Sequence, residues 1–232
     1  GRSQQLGQRR DRHEIGFVEA GYKEFRTWYD GSGGFFPGNG QWISLYDEDL
    51  AIDRGEAWFK AGLRVPDVPE LTFEYINEFR RGTKDSLEWG DSGTVSPSMT
   101  GGFGARKISP TFYKFNERMH IFEGDLKHTI DTTTVESGLR YALTDDHNYH
   151  NGRRNPFEPA ADRHVTHEEI MKADTFSFHN QTETWFSEKL LLATGYSYSA
   201  LNSDIGGSII YGGNYYEDFQ PMYTRGRSND SG

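Results

Sequence analysis

The stretch AWFKAGLRVPDVPELTFEYINEFRRG, residues 57–82, alternates between apolar and polar side chains. Its apolar positions recur at every second residue: Ala57, Phe59, Ala61, Leu63 and Val65, then Leu71, Phe73 and Tyr75. Because successive side chains of a strand point to opposite faces, this period of two predicts two β-strands. The short turn at residues 66–70 joins them into a hairpin. Either a protein core or lipid has to cover the apolar side.

Three further stretches repeat this alternation. FEGDLKHTI (122–130) is followed by VESGLRYAL (135–143), and TFSFHNQTETWF (175–186) is followed by LLLATGYSYSA (190–200). Each pair is separated by only a few turn-forming residues, which predicts two more hairpins. FVEAGYKEF (17–25) is predicted as a single strand near the start.

The predicted connections alternate between short and long. Short turns lie at residues 66–70, 131–133 and 187–189, and the segments 30–55, 81–114 and 145–173, which have no clear period, are interpreted as long loops. In an antiparallel meander, alternate turns lie at the same end of the sheet. Short turns at one end and long loops at the other are typical of outer-membrane β-barrels. The predicted fold is therefore all-β, an up-and-down antiparallel meander that is part of a transmembrane β-barrel.

The two faces of these strands predict two environments. We expect each predicted strand to cross a bilayer with about nine to eleven residues. The side chains expected to line a hydrated lumen are Lys60, Arg64, Glu74, Glu78, Glu123, Asp125, Lys127, Glu136, Arg140, His179 and Glu183. The side chains expected to face lipid are Phe59, Leu63, Leu71, Phe73, Leu126, Leu139, Tyr141, Phe176, Phe178, Leu192 and Tyr196.

Aromatic residues are expected near the strand ends, where interfacial girdles of barrels lie. The residues in question are Trp28, Tyr29, Phe79, Tyr141, Trp185, Phe186, Tyr196 and Tyr198. Residues 1–232 are treated as a single segment of six or seven strands. Since bacterial barrels have about eight strands or more, we expect this segment to belong to a larger barrel.

Composition excludes several classes of protein. The chain has 232 residues, a mean hydropathy of −0.80 and no apolar run approaching the ~20 residues of a membrane-spanning helix. Its net charge of −10 argues against a nucleic-acid-binding role. It has no cysteine, which excludes disulfides, thiolate metal sites and covalent attachment of c-type haem to this chain.

Three longer segments resemble a known family. GYKEFRTWYDGSGGFFPGNG (21–40), LAIDRGEAWFKAGLRVPDVPELTFEYINEFRRGTKDSLEWGD (50–91) and KISPTFYKFNERMHIFEGDLKHTI (107–130) resemble large bacterial outer-membrane barrels of the porin–cytochrome type. The resemblance implies a barrel in the bacterial outer membrane that sheathes a multihaem c-type cytochrome for electron transfer. It implies no enzymatic activity and no cofactor held by this chain. The expected partners are outer-membrane lipid and the cytochrome.

No catalytic, cofactor or metal site is predicted. Asp145, Asp146, His147 and His150 carry potential ligand atoms, but a solvated loop is the favoured interpretation. His164 and His167 would share one face of a short helix, for which a polar loop helix is favoured over a metal site. GSGG (31–34) and GGFG (101–104) are interpreted as flexible loops.

Two alternative functions remain open. One is a passive porin or solute channel, which needs the same strands. The other is a soluble β-sandwich that binds carbohydrate through its aromatic side chains.

Overall fold

A computed structural model of the chain describes residues 4–12, 15–29, 34–36, 41–43, 50–91, 106–153, 164–214 and 226–231. These residues form an all-β structure without helices. Accordingly, the described part of the chain contains no helix that could cross a membrane. The segment GGFG at 101–104 and most of GSGG at 31–34 lie outside the described residues, as does the end of the Asp145–Pro159 stretch.

The described residues contain eleven strands in chain order. They are β1 (Gln4–Arg12), β2 (Gly16–Trp28), β3 (Gly34–Phe36), β4 (Gln41–Ile43), β5 (Ala51–Leu63), β6 (Glu70–Asp91), β7 (Arg106–Ile130), β8 (Thr133–Arg153), β9 (His164–Ser187), β10 (Leu190–Gly212) and β11 (Gly226–Ser231). The strands predicted from the sequence correspond to β2 and β5 to β10. One outer strand is added on each side, β1 and β11.

Nine strands form one antiparallel sheet in the order β1-β2-β5-β6-β7-β8-β9-β10-β11. Each strand of this sheet pairs with the strands that come before and after it in chain order, apart from the inserted β3 and β4. The topology is therefore an up-and-down meander, and the predicted all-β antiparallel meander is confirmed, whereas its place in a transmembrane barrel stays a prediction. The remaining strands, β3 and β4, pair with each other inside the β2–β5 connection, and β3 lies against β7. No pairing joins β1 to β11 among the described residues, so the sheet is open.

The predicted alternation of connections is confirmed. Residues 13–15, 64–69, 131–132 and 188–189 make the short connections at one end of the sheet. The strands are separated at the other end by residues 29–50, 92–105, 154–163 and 213–225. We call these two ends the short-turn end and the long-connection end.

Strand length was underestimated from the sequence. β6 to β10 have 21 to 25 residues each, about twice the predicted length. Much of the segments 81–114 and 145–173, predicted as loops, is therefore strand. The reason is that both faces are polar in these parts, so hydrophobicity loses its period of two while the backbone pairing continues.

The hairpins β5–β6, β7–β8 and β9–β10 are staggered in one direction, whereas β1–β2 and β5–β6 end at the same level because Gly16 and Leu71 both pair with Leu63. Glu70, the first residue of β6, pairs with Lys127, so β7 extends three residues further, to Ile130. Thr133, the first residue of β8, pairs with Thr184, and β9 likewise extends three residues further, to Ser187. A stagger of this kind is the geometry that tilted strands need to close a barrel.

Buried apolar side chains are few and concentrate toward the long-connection end. Leu50, Ile52, Phe112 and Val165 are all buried, Ile52 at 1 % exposure. In contrast, large apolar side chains near the short-turn end are widely exposed, including Phe73 at 46 % and Leu139 at 51 %. The part of the sheet with the strongest apolar alternation is thus not the part that forms a protein core.

Candidate functional surface: the two faces of the sheet

The cross-strand register divides the side chains into two faces. Residues that pair directly across an antiparallel sheet lie on the same face. The apolar face consists of the odd-numbered residues of β5, β6 and β8 and the even-numbered residues of β2, β7, β9 and β10. The charged face consists of the remaining positions of these strands.

The residues predicted to face lipid all lie on the apolar face. Register links them directly: Leu63 pairs with Leu71 and Leu71 with Leu126, while Phe73 pairs with Gly124 and Gly124 with Leu139. Farther along, Leu139 pairs with Phe178, and Phe178 with Tyr198. The structure therefore brings together on one face residues that lie far apart in the sequence.

Ten of the eleven predicted lumen residues share the charged face. Lys60 pairs with Glu74, Glu74 with Glu123, and Glu123 with Arg140, which makes one continuous row across four strands. The exception is Arg64, which lies in the β5–β6 connection. The contact of lipid with the apolar face and of water with the charged face stays a prediction.

The apolar side chains occupy a limited band of the apolar face. This apolar band covers residues 16–22 of β2, 57–63 of β5, 71–79 of β6, 122–130 of β7, 133–143 of β8, 176–186 of β9 and 190–200 of β10. In β6 to β10, each of these ranges is nine to eleven residues long, the length that a tilted strand needs to cross a bilayer. Beyond the band the same face becomes charged, with Arg81, Arg118, Asp145 and Lys172.

An aromatic row crosses the apolar band near its long-connection side. Phe59, Tyr75, Phe122, Tyr141 and Phe176 are direct cross-strand partners on five adjacent strands. The rings of Tyr75 and Phe122 are 5.1 Å apart. The Tyr75 hydroxyl is hydrogen-bonded to His120 Nδ1 at 2.8 Å, which gives this ring a polar contact beside the band.

The expectation that aromatic residues mark strand ends was wrong for four residues. Tyr196 and Tyr198 lie in the interior of β10, which runs from Leu190 to Gly212. Phe79 lies in the interior of β6 and Tyr141 in the interior of β8, because both strands continue past the apolar band. The aromatic side chains therefore mark the edge of the band and not the end of the strand.

Polar residues interrupt the apolar band near β8 and β9. Ser137 and Asn180 are cross-strand partners on the apolar face, and Asn180 Nδ2 donates to Ser137 Oγ at 2.7 Å. Thr133 and Thr184 form a similar hydroxyl pair at 3.1 Å. Mutual hydrogen bonding lowers the cost of placing these groups in an apolar environment.

Cross-strand ion pairs neutralise much of the charged face. Lys60 Nζ lies 2.7 Å from Glu74 Oε2, and Arg140 Nε lies 3.0 Å from Glu123 Oε1. The same face carries Lys127–Glu136, Lys23–Glu56 and Arg80–Glu117 pairs. Beyond the apolar band, burial and then the charge of Glu117 raise the pKa of Asp146.

The charged face carries one apolar row across β5 to β8 that the sequence reasoning did not identify. On β10 this face has no charged side chain and exposes Leu191, Leu201, Ile205 and Ile209. Trp58, Ile76, Ile121 and Ala142 are consecutive cross-strand partners, with Ile121 and Ala142 at 5 % and 4 % exposure. The Trp58 ring occupies the space beside Gly21, where a Cβ atom would come within 2.0 Å of Trp58 Cζ2. The sequence contained a signal for this row, because Trp58 and Ile76 are apolar residues at even-numbered positions, which mostly hold polar side chains in these two strands.

The histidine-containing segments are strands, contrary to the loop and helix interpretations. Asp145 and His147 lie on the apolar face of β8, whereas Asp146 and His150 lie on its charged face. His164 and His167 of β9 likewise point to opposite faces, which corrects the prediction that they share one. His150 and His167 are cross-strand partners with ring centroids 5.6 Å apart. No group of three or more potential metal ligands occurs within the described ranges.

Comparison with known proteins adds no identification. None of the protein-family models, curated proteins or solved structures that were compared with the chain matches it. The resemblance to porin–cytochrome barrels therefore stays a prediction from the sequence.

Proposed function

We propose that this chain forms part of the wall of a β-barrel in the bacterial outer membrane. The apolar face contacts lipid, and the charged face lines the interior of the barrel. The single observation that carries this proposal is the apolar band, which continues across seven strands and in five of them, β6 to β10, has a length suited to one bilayer crossing.

The stagger of the hairpins supports the same proposal. Three residues per two strands, with a rise of about 3.3 Å per residue and a strand spacing of about 4.8 Å, correspond to a strand tilt of about 45°. Transmembrane barrels have tilts of about 35–45°. A tilted strand of nine to eleven residues then spans roughly the 25 Å of a barrel's apolar zone.

A β-sandwich would need a second sheet over the apolar face. Among the described residues, the only other sheet is the β3–β4 hairpin, which lies against β7 and is too small to cover seven strands. Three large side chains of the apolar face are exposed: Phe73, Leu139 and Tyr198. Their exposure fits contact with lipid better than burial between two protein layers. The soluble carbohydrate-binding alternative is for this reason the less favoured one.

The role of the barrel is proposed from the sequence resemblance. We infer that the charged interior surrounds and positions a multihaem c-type cytochrome, which would carry electrons across the membrane while this chain performs no chemistry. Cross-strand ion pairs suit such a lining because they keep the wall hydrated and close to neutral between its paired groups. A passive channel requires the same wall and is the competing role.

The decisive experiment isolates the natural protein from outer membranes in detergent and asks what occupies its interior. The proposal predicts a stoichiometric haem-containing partner. It also predicts electron transfer to an acceptor trapped inside vesicles only when that partner is present. Steady ion conductance by the protein alone, without a bound cytochrome, would favour the channel. Recovery of the folded protein in the aqueous fraction would overturn the barrel itself.

A further inference from the structure

One side of β10 is only partly covered by a neighbouring strand. On its first side, β10 pairs with β9 along its whole length, from Leu190 to Gly212. On its second side, β11 pairs only with Ala200–Ile205. Among the residues that the structure describes, no strand pairs with residues 190–199 on this second side. We call residues 190–199, on that side, the bare edge of β10.

The bare edge coincides with the apolar band. On β10 this band covers residues 190–200, and Leu190, Leu192 and Tyr196 on the apolar face are exposed. An edge strand presents a row of unpaired backbone N–H and C=O groups. Hydrocarbon offers such groups no hydrogen-bond partner, so a spanning strand has to be paired on both sides.

The sequence of the bare edge lacks the features that keep exposed edge strands from pairing. Natural proteins protect such edges with charged side chains, proline or a bulge that twists the edge away. The bare edge, LLLATGYSYS, has no charged residue and no proline, and its register with β9 shifts only between Leu190 and Leu191. On the charged face, every second residue from Ala193 to Ser199 is alanine, glycine or serine, which leaves a neighbouring strand room to approach.

We propose that the bare edge of β10 pairs with one further strand of the barrel wall, which runs antiparallel to β10 and in line with β11. This inference rests on the proposed contact of the apolar band with lipid. The pairing of β11 sets the direction, because Ser231 pairs with Ala200 and Gly226 pairs with Ile205. A strand that continues this pairing beyond Ala200 meets Ser199 first and Leu190 last.

The register predicts the chemistry of this docking strand. Residues that pair across an antiparallel sheet lie on the same face, so those opposite Leu192 and Tyr196 face lipid and have to be apolar. Residues opposite Gly195 and Ser197 lie on the charged face, where large polar side chains fit because these two residues are small. The docking strand is therefore about ten residues long and alternates between apolar and large polar side chains.

The test uses the whole chain inserted into phosphatidylcholine vesicles and a synthetic probe peptide. The peptide alternates leucine and glutamine over about ten residues and carries one cysteine, in place of either its first or its last glutamine. Because the chain has no cysteine, Ser199→Cys and Leu191→Cys introduce single cysteines near the two ends of the bare edge, both on the charged face. The yield of disulfide cross-linking is measured for all four combinations.

Antiparallel pairing predicts a reciprocal pattern of cross-linking. Positions 199 and 191 lie about 26 Å apart along the strand, so one end of the peptide reaches only one of them. The peptide with its first glutamine replaced should cross-link to Ser199→Cys roughly tenfold better than to Leu191→Cys. The peptide with its last glutamine replaced should show the opposite preference.

Two controls separate strand pairing from partition of the peptide into the bilayer. Thr72→Cys lies on the same face in β6, which is paired on both sides, so its cross-linking should be about tenfold weaker or less. A fully N-methylated peptide keeps its side chains but has no backbone donor. Its cross-linking to Ser199→Cys should fall roughly tenfold.

Several results would overturn the inference. They are no cross-linking at the bare edge, equal yields at all three cysteines, a reversed preference that indicates parallel pairing, and no effect of N-methylation. Disulfide dimers of Ser199→Cys that form without peptide and block its cross-linking would instead identify a second copy of this chain as the occupant. If any of these occurs in a chain that inserts into the vesicles, the edge proposal fails and the barrel proposal stands. If the chain does not insert at all, both proposals fail.

Discussion

Substitution by arginine is expected to have very different effects on stability at two adjacent residues of β6. Phe73 lies on the apolar face at 46 % exposure, and Thr72 lies on the charged face between Gly62 and Asp125. Phe73→Arg should destabilise the membrane-inserted fold by about 2–4 kcal/mol, because a cation on the lipid face loses its hydration. Thr72→Arg should cost less than about 1 kcal/mol, since Asp125 can pair with the new cation. Urea titration of the chain folded in lipid vesicles measures both.

The comparison also has a clear contrary outcome. In a soluble sheet with both faces wet, replacing a half-exposed phenylalanine by arginine would cost no more than the threonine change. Equal effects of Phe73→Arg and Thr72→Arg would therefore show that the face assignment of β6 is not linked to lipid.

Gly21 provides a second residue-level test, on the charged face. A side chain at this position meets the Trp58 ring, so Gly21→Val should displace that ring and destabilise the fold by about 1–3 kcal/mol. Trp58 fluorescence should change together with the denaturation midpoint. Gly124→Ala is the control, because its new Cβ would have only Thr72 O for a neighbour, at 4.0 Å. A stable Gly21→Val variant with unchanged fluorescence would contradict the proposed packing.

The two-residue turn between β7 and β8 depends on one backbone conformation. Asp131 has φ = 52°, in the left-handed region that a β-branched residue adopts only with strain. Asp131→Val should therefore destabilise this hairpin by about 1–3 kcal/mol, whereas Asp131→Gly should be neutral or slightly stabilising. Denaturation curves of the two variants measure the difference. Equal stability of the valine and glycine variants would exclude a left-handed residue at this turn.

The ion pair between β5 and β6 is expected to contribute modestly. Lys60 and Glu74 side chains are 36 % and 21 % exposed, so solvent screens their 2.7 Å contact. A double-mutant cycle with Lys60→Gln and Glu74→Gln should give a coupling of about 0.5–1 kcal/mol. The same cycle between Lys60 and Glu183, which are not cross-strand partners, should give about 0.3 kcal/mol or less. Equal coupling in both cycles would show that the pair is not formed.

The strands near the short-turn end were predictable because one face is apolar and the other is charged. The alternation in Leu71–Tyr75 and Leu139–Leu143 defined their faces, and the register confirmed that these faces align across the sheet. Farther along, β8 reads Thr144, Asp145, Asp146 and His147, polar on both sides. Hydrophobic pattern contains no strand signal there, so pairing with β7 and β9 could not be anticipated.

The cross-strand partner of a residue was harder to predict than the face of the sheet on which the residue lies. The positions of Lys60, Glu74, Glu123 and Arg140 within one row depend on how each strand is shifted against the next. The alternation in a single sequence shows which residues of one strand share a face. It does not show the register between neighbouring strands, because turn geometry and packing decide that register. The apolar row around Ile121 also depends on this register, although the apolar residues Trp58 and Ile76 at even-numbered positions were a signal for it in the sequence.

At the scale of the molecule, the described residues leave two features uncovered, an exposed apolar band and two sheet edges. A long exposed edge strand is a site for pairing with further strands, and barrels remove such edges by closure. The stagger of the β7–β8 and β9–β10 hairpins agrees with that geometry. Both features have one explanation if the sheet is part of a closed wall surrounded by lipid.

The most direct test of lipid contact is the environment of successive side chains along β8. The chain has no cysteine, so single cysteines can be introduced at positions 139 to 144 and labelled with a nitroxide without background. In vesicles, we predict that labels at 139, 141 and 143 collide with lipid-dissolved oxygen. Labels at 140, 142 and 144 should instead be protected from oxygen and, where water reaches them, collide with a water-soluble nickel chelate. Oxygen contact equal at all six positions, or odd-numbered positions shielded from both reagents, would show that lipid does not cover the apolar face.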